Sequence, residues 1–236
     1  MKKLILKIVN KSVDKFIVLS RREIEAFSKT FNLPKEKFVF VTYHTTIGEH
    51  YKIITYEGDY IFSGGNSCRD YETLIEAVRG LSVTVFIAST DPGISPSMSI
   101  PENVDIRGYS HEEYIKKLTG CRINVVPLAS GLLRSAGQQT FLNAMWLGKP
   151  TIVTDIEGAS DYINDGEDGF LVPPRDPLAL RDAIETLLDH PARRKEIAIK
   201  AMQKAKNFSI DEYFKNIVSI ANEVVEGAGS TDFGPR

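Results

Sequence analysis

Two short loops carry the residues best suited to binding an anionic ligand. The first runs from Gly64 to Arg69 (GGNSCR) and joins an apolar run to a helical pattern. Gly64 and Gly65 permit backbone conformations that are closed to other residues, and a guanidinium at the start of a helix suits a diphosphate. A tight turn with a solvated Arg69 is the plainer alternative, and the spacing alone does not decide between the two.

The second loop ends at Gly137 and leads into a predicted helix over Gln138–Trp146. The free amide groups of a helix's first turn and the helix dipole attract an anion. The last loop residues are small, so a phosphate could approach the backbone closely: Ser135, Ala136 and Gly137. The first helical residues add hydrogen-bonding side chains, some of which must face away from the site: Gln138, Gln139 and Thr140.

Asn143 is a further candidate, because it lies one helical turn after Gln139 and could reach a ribose hydroxyl. The alternative is an exposed helix residue, which its position alone favours. No metal site is expected, since the histidines are scattered without other ligands at suitable spacing: His44, His50, His111 and His190. The sequence also lacks a P-loop, a G-x-G-x-x-G fingerprint and a G-x-S-x-G elbow, which disfavours the common NTPase, dehydrogenase and hydrolase classes.

The elements that must position these residues alternate between strand and helix patterns from Lys52 to Leu188. This alternation predicts a mostly parallel α/β sheet with helices on both faces. The predicted strands are Lys52–Thr55, Asp59–Ser63, Ser82–Ala88, Val104–Arg107, Asn124–Leu128, Thr151–Thr154 and Phe170–Val172. Ligands of such sheets bind beyond the carboxyl ends of the strands, where three loops meet: Ser63–Arg69, Arg107–Tyr109 and Ser130–Thr140.

The opening residues are predicted to form a strand–helix–strand fragment that is too small to bury its own faces. Ser20 is expected to cap its helix, with Glu23 completing a capping box. The predicted organisation is residues 1–48 as this fragment and its linker, residues 49–226 as the main α/β domain, and residues 227–236 as a disordered tail. A final amphipathic helix is predicted over Ile210–Val225.

The totals are those of an ordinary globular protein, with 42% hydrophobic residues, 25% charged residues and a net charge of −2, and they give no sign of nucleic-acid binding. Cys68 and Cys121 stand in unlike contexts, so a reducing, cytoplasmic setting is expected. No run reaches the roughly 18 apolar residues of a membrane span. A weak peripheral membrane contact is the less favoured alternative, because scattered lysines usually form a solvated face: Lys2, Lys3, Lys7, Lys11 and Lys15.

Several motifs in order resemble the retaining GT-B glycosyltransferases of group 1, family 4. The main match begins at Gly148-Lys149-Pro150 and continues through Asp165-Gly-x-x-Gly-x-Leu-Val-x-Pro and a trailing helix. FLNAM precedes it, and the glycine turn with Arg69-Asp70 and LIEAV is similar to the family's phosphate loop. The resemblance covers residues 12–221, and its combined order is specific although each piece alone is weak.

The resemblance implies two Rossmann-like domains with the active site between them. Only the C-terminal, donor-binding domain is represented in full, and Val13–Thr42 is similar to the end of the acceptor-side domain. The implied activity is hexosyl transfer from a nucleotide sugar to a glycan or lipid-linked acceptor in polysaccharide biosynthesis, with retention of configuration and without a metal or other cofactor. A partner polypeptide would supply the acceptor domain, to which the last helix of the family returns.

The resemblance also assigns roles to individual residues. Arg69 and the amides at Gly137–Gln138 would neutralise the leaving diphosphate, and the nucleotide base would dock at a short segment made of Arg107, Gly108 and Tyr109. The family's two glutamates, separated by seven residues in its motif, fall here on Ser135 beside the donor sugar and Asn143 at the ribose. Arg69 and Ser135 are therefore the predicted catalytic residues, with a negative charge lost at Ser135.

These departures leave alternatives to an active transferase. One is a non-catalytic module, derived from a transferase half, that binds a sugar nucleotide or a partner protein without turnover. Another is a GT-B epimerase acting on UDP-sugars, which would need acidic and histidine residues that the predicted cleft does not supply.

Overall fold

The computed structural model describes residues 12–47, 57–156 and 158–229. The predicted strand at Lys52–Thr55 and the predicted tail from residue 230 lie outside these ranges. So do four of the five N-terminal lysines: Lys2, Lys3, Lys7 and Lys11. The fifth, Lys15, donates to the carbonyl oxygen of Glu36 at 2.7 Å.

Six parallel strands form the main sheet, in the order β5-β4-β3-β6-β7-β8. The strands along the chain are β1 (Phe16–Val18), β2 (Phe38–Phe40), β3 (Tyr60–Gly64), β4 (Thr84–Ala88), β5 (Val104–Arg107), β6 (Ile123–Val126), β7 (Thr151–Thr154) and β8 (Phe170–Val172). Strands β1 and β2 pair with each other in a separate parallel sheet. The predicted parallel α/β fold is confirmed.

Helices cover both faces of the main sheet, which is why its inner strands are buried throughout. The helices are α1 (Arg21–Phe31), α2 (Tyr71–Val78), α3 (His111–Gly120), α4 (Gln138–Trp146), α5 (Pro177–Asp189), α6 (Pro191–Ala205) and α7 (Ile210–Gly229). On one face α2 and α5 bury Leu74 and Ile184. On the other, α3 and α4 bury Leu118 and Phe141, and α6 packs against α4.

The order of the strands places a crevice between β3 and β6. The chain runs outward from β3 to β5 and then returns to β6 on the other side of β3. The loops after β3 and β6 therefore diverge from adjacent strands, which is the usual ligand position in an open parallel sheet. The two anion-binding loops predicted from the sequence are these two loops.

Helix caps show where local sequence rules hold and where they fail. At α3 a capping box forms between Ser110 and Glu113, which have the Ser-x-x-Glu spacing of that motif. At α1 the predicted box is wrong: Ser20 Oγ accepts from the Arg22 amide, and Glu23 accepts from the Leu19 amide instead of the Ser20 amide. The cause is a distant partner for Glu23, described with the site below.

The N-terminal fragment packs against the main domain, because it is too small to bury its own apolar faces. The Tyr162 hydroxyl donates to the carbonyl oxygen of Leu19 at 2.7 Å and accepts from the Tyr43 amide at 2.9 Å. The Asp161 carboxylate accepts from the Arg21 amide at 2.8 Å. Burial raises the pKa of Tyr162 well above its ordinary value, so this bridging hydroxyl stays protonated at neutral pH.

Helix α7 leaves much of its apolar surface uncovered. Within residues 210–226 none of its side chains is buried, and its exposed large apolar residues are Ile210, Phe214, Val218 and Val225. The helix ends at Gly229, later than the predicted Val225. Over the described ranges, every helix falls short of the length and apolar character needed to cross a bilayer.

We predict that Tyr162→Phe lowers the free energy of unfolding by about 1–3 kcal/mol, because it leaves the Leu19 carbonyl and the Tyr43 amide without their buried partner. Urea denaturation measures the change. Tyr213→Phe is the matched control: it keeps the ring contacts of Tyr213 with Tyr43 and His44, so a change within about 0.5 kcal/mol is expected. Equal losses in both variants would contradict the bridging role of Tyr162.

Candidate functional site

The loops after β3 and β6 are joined directly by their backbones. Arg69 and Leu128 form an isolated antiparallel bridge. On either side of it, the Asp70 amide donates to the Pro127 carbonyl and the Ala129 amide donates to the Cys68 carbonyl, both at 3.1 Å. The position of Arg69 is therefore fixed relative to both loops.

The Arg69 side chain is held in a single orientation by three hydrogen bonds. Nε donates to the Gly64 carbonyl at 3.1 Å, Nη1 to the Ser67 carbonyl at 2.8 Å, and Nη2 to Thr140 Oγ1 at 2.9 Å. A guanidinium carries five N–H groups, so one N–H on each terminal nitrogen lies outside these bonds. Such a fork can bind two oxygens of one anion.

Gly65 permits this arrangement. Its φ of +120° lies in a region that L side chains rarely adopt, and a Cβ there would stand 2.6 Å from Arg69 Nη2. Its carbonyl accepts from the Tyr71 hydroxyl at 2.6 Å, and burial raises the pKa of Tyr71 to about 12. A Cβ on Gly64 would lie 2.4 Å from the Tyr114 ring, so the predicted need for two glycines has a structural basis.

The N-terminus of helix α4 presents free backbone amides toward Arg69. Gly137 is its N-cap, with φ of +83°, and the Gly137 carbonyl accepts from the Thr140 and Phe141 amides at 2.9 and 3.1 Å. The remaining amides at this end donate to no acceptor in the described part of the chain: Ala136, Gly137, Gln138 and Gln139. These are the donors that a phosphate would use.

A groove of about 400 Å³ lies between Arg69 and these amides. Its lining includes two arginines, Arg69 and Arg134, and no carboxylate. Arg134 is exposed, and its Nη2 lies 3.6 Å from Cys68 Sγ. Sequence reasoning missed Arg134, because an arginine in a loop carries no signal until the fold shows which way the loop turns.

Ser135 is buried and hydrogen-bonded to a carboxylate from the N-terminal fragment. Glu23 Oε1 accepts from the Ser135 amide at 2.6 Å and from Ser135 Oγ at 2.9 Å. The sequence pattern predicted the loss of a negative charge at this position. Glu23 brings a carboxylate to Ser135 from elsewhere in the chain, and the effect of the altered residue on the donor sugar stays a prediction.

Asn143 is also buried, which corrects the exposed-helix alternative. Its Oδ1 accepts from the Thr46 amide at 2.8 Å and from the Ile47 amide at 3.3 Å, and its Nδ2 donates to Thr46 Oγ1 at 2.9 Å. Gln139 Nε2 donates to the same threonine hydroxyl at 3.2 Å. A ribose hydroxyl bound at Asn143 would therefore take the place of the Thr46 hydroxyl.

The predicted base-binding segment lies farther along the same cleft. Arg107 donates through Nε to the Tyr109 hydroxyl at 3.0 Å and pairs with Asp105 at 3.1 Å. Arg107, Gly108 and Tyr109 line a cavity of about 330 Å³, and its wall also includes Lys116 and Lys117. Burial lowers the pKa of Lys117, and the nearby Arg107 lowers it further.

A third cavity, of about 470 Å³, connects the two ends of the cleft. Gly65, Gln139 and Thr140 line both this cavity and the groove at Arg69, and Tyr109 lines both this cavity and the base-binding segment. Asn143 lies in its wall. The structure thus brings the predicted site residues onto the walls of three adjoining cavities, except Gly64, which is buried against Tyr114.

The described histidines lie in three different surroundings, and His50 is outside the described residues. His111, in the first turn of α3, lines the connecting cavity, whereas His44 stacks on Tyr43 and His190 contacts the Thr186 carbonyl. Over residues 12–47, 57–156 and 158–229, no group of three or more His, Cys, Asp or Glu side chains could hold a metal ion.

Comparison with known families decides the classification. The model of the family described as "Glycosyl transferases group 1" matches residues 67–190, which include Arg69 and the whole loop before α4. This chain belongs to the group 1 glycosyl transferases. Among curated relatives, trehalose synthase of Pyrococcus horikoshii is 38% identical over 86 residues, a stretch that spans 36% of this chain and 20% of that protein.

Other curated relatives are similar over longer stretches. D-inositol 3-phosphate glycosyltransferase of Rhodococcus erythropolis is 32% identical over 40% of this chain and 22% of that protein. D-rhamnosyltransferase WbpZ of Pseudomonas aeruginosa is 28% identical over 62% of this chain and 36% of that protein. The matched region is therefore a minor part of each relative's own length.

Solved structures show the same fold over nearly the whole of this group 1 chain. A glycosyltransferase from Rickettsia africae superposes with a TM-score of 0.75 at 17% identity, covering 94% of this chain and 66% of that one. Anabaena Alr3699/HepE, solved with UDP-glucose, superposes with a TM-score of 0.72 at 15% identity, covering 94% and 68%. These neighbours show that the chain shares the α/β fold of GT-B glycosyltransferases.

Proposed function

We propose that this chain binds a nucleotide-sugar donor and takes part in family-4-like glycosyl transfer with retention of configuration. The observation that carries the proposal is the fixed Arg69 fork facing the free amides at Gly137–Gln138 across a groove with no carboxylate lining. The chemistry of this groove suits a diphosphate. The HepE complex with UDP-glucose supports the same ligand class, because that protein shares the fold.

In this proposal the groove acts by stabilising the charge that develops on the leaving group. As the bond from the anomeric carbon to the diphosphate breaks, its electron pair departs with the nucleoside diphosphate. Arg69, Arg134 and the amides at Gly137–Gln138 face that charge as fixed donors, so little reorganisation is needed during the reaction. These groups already supply positive charge, and the proposal therefore includes no metal or other cofactor.

The rest of the donor is proposed to follow the cleft away from Arg69. The ribose lies at Asn143, where an amide replaces the carboxylate of the family pattern, and the base lies at Arg107, Gly108 and Tyr109. The donor sugar lies toward Ser135, on the side of the N-terminal fragment, whose Leu19 and Tyr43 line the groove.

The acceptor is proposed to come from the side of the N-terminal fragment as well. In that arrangement a partner polypeptide supplies further acceptor-side surface and covers the apolar residues of α7, of which Phe214 is 57% exposed and Val218 is 55% exposed. A glycan or lipid-linked acceptor remains the expected class.

A non-catalytic binding module is the second candidate, and two contacts favour it. Glu23 accepts hydrogen bonds from both the amide and the hydroxyl of Ser135. Thr46 hydrogen-bonds to both the oxygen and the nitrogen of the Asn143 side-chain amide. These contacts place protein groups on the two positions where the family pattern has glutamates.

We predict that Arg69→Ala weakens binding of the preferred nucleoside diphosphate by at least about tenfold. The reason is that one charge-assisted hydrogen bond contributes about 1.5–3 kcal/mol, and 1.4 kcal/mol corresponds to tenfold. Isothermal calorimetry with UDP, GDP and ADP measures it. Arg79→Ala is the control, because Arg79 pairs with Glu76 away from the groove.

Two further outcomes decide between the candidates. If the unaltered chain binds none of the three nucleotides, or if Arg69→Ala binds as tightly as the unaltered chain, donor binding in this groove is refuted. If binding is present, hydrolysis or transfer of the donor sugar, measured with and without a partner polypeptide, separates the transferase from the binding module.

We also predict that Thr46→Val tightens nucleotide binding by up to about fivefold, because the ribose no longer competes with a threonine hydroxyl for a hydrogen bond of about 1 kcal/mol. Asn143→Ala is expected to weaken binding in the same calorimetric assay. If neither substitution changes the dissociation constant, the ribose does not lie at Asn143.

A further inference from the structure

Glu23 is a buried carboxylate on the N-terminal fragment. It hydrogen-bonds to the donor-binding loop, which is residues 134–137 before α4. It lies in the first turn of α1 and is 4% exposed. Its Oε1 accepts from the Ser135 amide and hydroxyl, and its Oε2 accepts from the Leu19 amide at 2.8 Å. One side chain therefore joins the start of α1 to the loop that precedes α4.

Among the described residues, no cation pairs with this carboxylate to offset its burial. Ion pairs among the described residues include Arg21 with Asp161 beside it, but Glu23 takes part in none of them. Burying a charged group is costly unless hydrogen bonds replace its lost hydration. The three donors do so here, and two of them belong to Ser135, so the position of this loop depends on the charge.

The hydrogen bonds of Ser135 affect the amides that follow it. Because Glu23 takes the Ser135 amide, that group faces the N-terminal fragment, and the next amides, Ala136 to Gln138, keep no acceptor in the described part of the chain. The carboxylate thus fixes the backbone at Ser135. The Ser135 amide bonds within the protein, and the amides after it face the groove as free donors.

The two segments that Glu23 joins also meet at Gly158. With φ of +90°, Gly158 lies between them: a Cβ there would stand 2.5 Å from Ser20 Cβ and 3.4 Å from Ser135 Cβ. The start of α1 and the donor-binding loop are therefore pressed against the same glycine.

We propose that Glu23 is a positioning residue that holds the loop 134–137 in its diphosphate-binding conformation. This inference rests on the proposed donor binding and adds that the N-terminal fragment completes the donor site. The ligand affected is the diphosphate part of the nucleotide, and the effect acts through Ser135.

The substitution Glu23→Gln tests this role with almost no change in shape. A glutamine has one acceptor oxygen and an amide group that only donates, so it cannot accept from both Ser135 and Leu19. We expect the dissociation constant for the preferred nucleoside diphosphate to rise about tenfold, as for the loss of one hydrogen bond to a charged group. The corresponding nucleoside, which lacks phosphates, should bind unchanged.

Asp161→Asn is the matched control. Asp161 accepts from the Arg21 amide, so it also joins α1 to the main domain, but it does not contact the donor-binding loop. Both variants should lower the thermal midpoint, whereas only Glu23→Gln should weaken nucleoside diphosphate binding. If Glu23→Gln does not fold by circular dichroism, Glu23→Asp, which keeps the charge but shortens its reach, is expected to give the same selective loss.

The outcomes separate this inference from the proposed function. If the unaltered chain binds no nucleoside diphosphate, the proposed function fails. If it binds and the Glu23 variant binds equally well, the positioning role is overturned. Equal losses in the Glu23 and Asp161 variants, or equal losses for nucleoside and nucleoside diphosphate, also overturn it, because they would reflect general docking of the fragment.

Discussion

The structure of this site depends on the hydrogen bonds that tie the loop after β3 to the loop after β6. These loops leave neighbouring strands in diverging directions, and in the absence of a tie each would be an independent surface loop. The Arg69–Leu128 bridge and the Arg69–Thr140 hydrogen bond join them. A rigid positive group is thereby held opposite the start of α4, and charge stabilisation requires such fixed geometry.

The same tie explains why the N-terminal fragment matters to a cleft that belongs to the main domain. Once the loop after β6 is fixed at Leu128 and again at Gly137, the residues between them need a support of their own. Glu23 provides it at Ser135, and Thr46 contacts the far side of α4 at Asn143. The fragment therefore contacts the cleft at both positions where the sequence departs from the family pattern.

Much of the fold could be predicted from the sequence, because its elements follow local rules. Helix α4 and the strands β5, β7 and β8 have the predicted bounds, since small, apolar and β-branched residues mark them clearly. The order of the motifs also predicted the family. Patterns of this kind depend on neighbouring residues, and the sequence displays them directly.

The contacts that complete the site could not be predicted in the same way. Glu23 has the spacing of a capping box, yet its carboxylate binds Ser135, which is 112 positions away. Asn143 has the spacing of an exposed residue but meets Thr46 across 97 positions. Arg134 belongs to no sequence motif that would indicate its position beside the groove. Each of these depends on which distant segments the fold brings together.

The central claim is that a diphosphate is bound jointly by Arg69 and by the free amides at the start of α4. Amide proton–nitrogen NMR during titration with inorganic pyrophosphate tests it most directly. The account predicts that the largest saturable shifts fall on the amides of Gly65 and of residues 136–139. Shifts concentrated instead at the second basic cavity, around Arg107 and Lys117, with residues 136–139 unchanged, would contradict it.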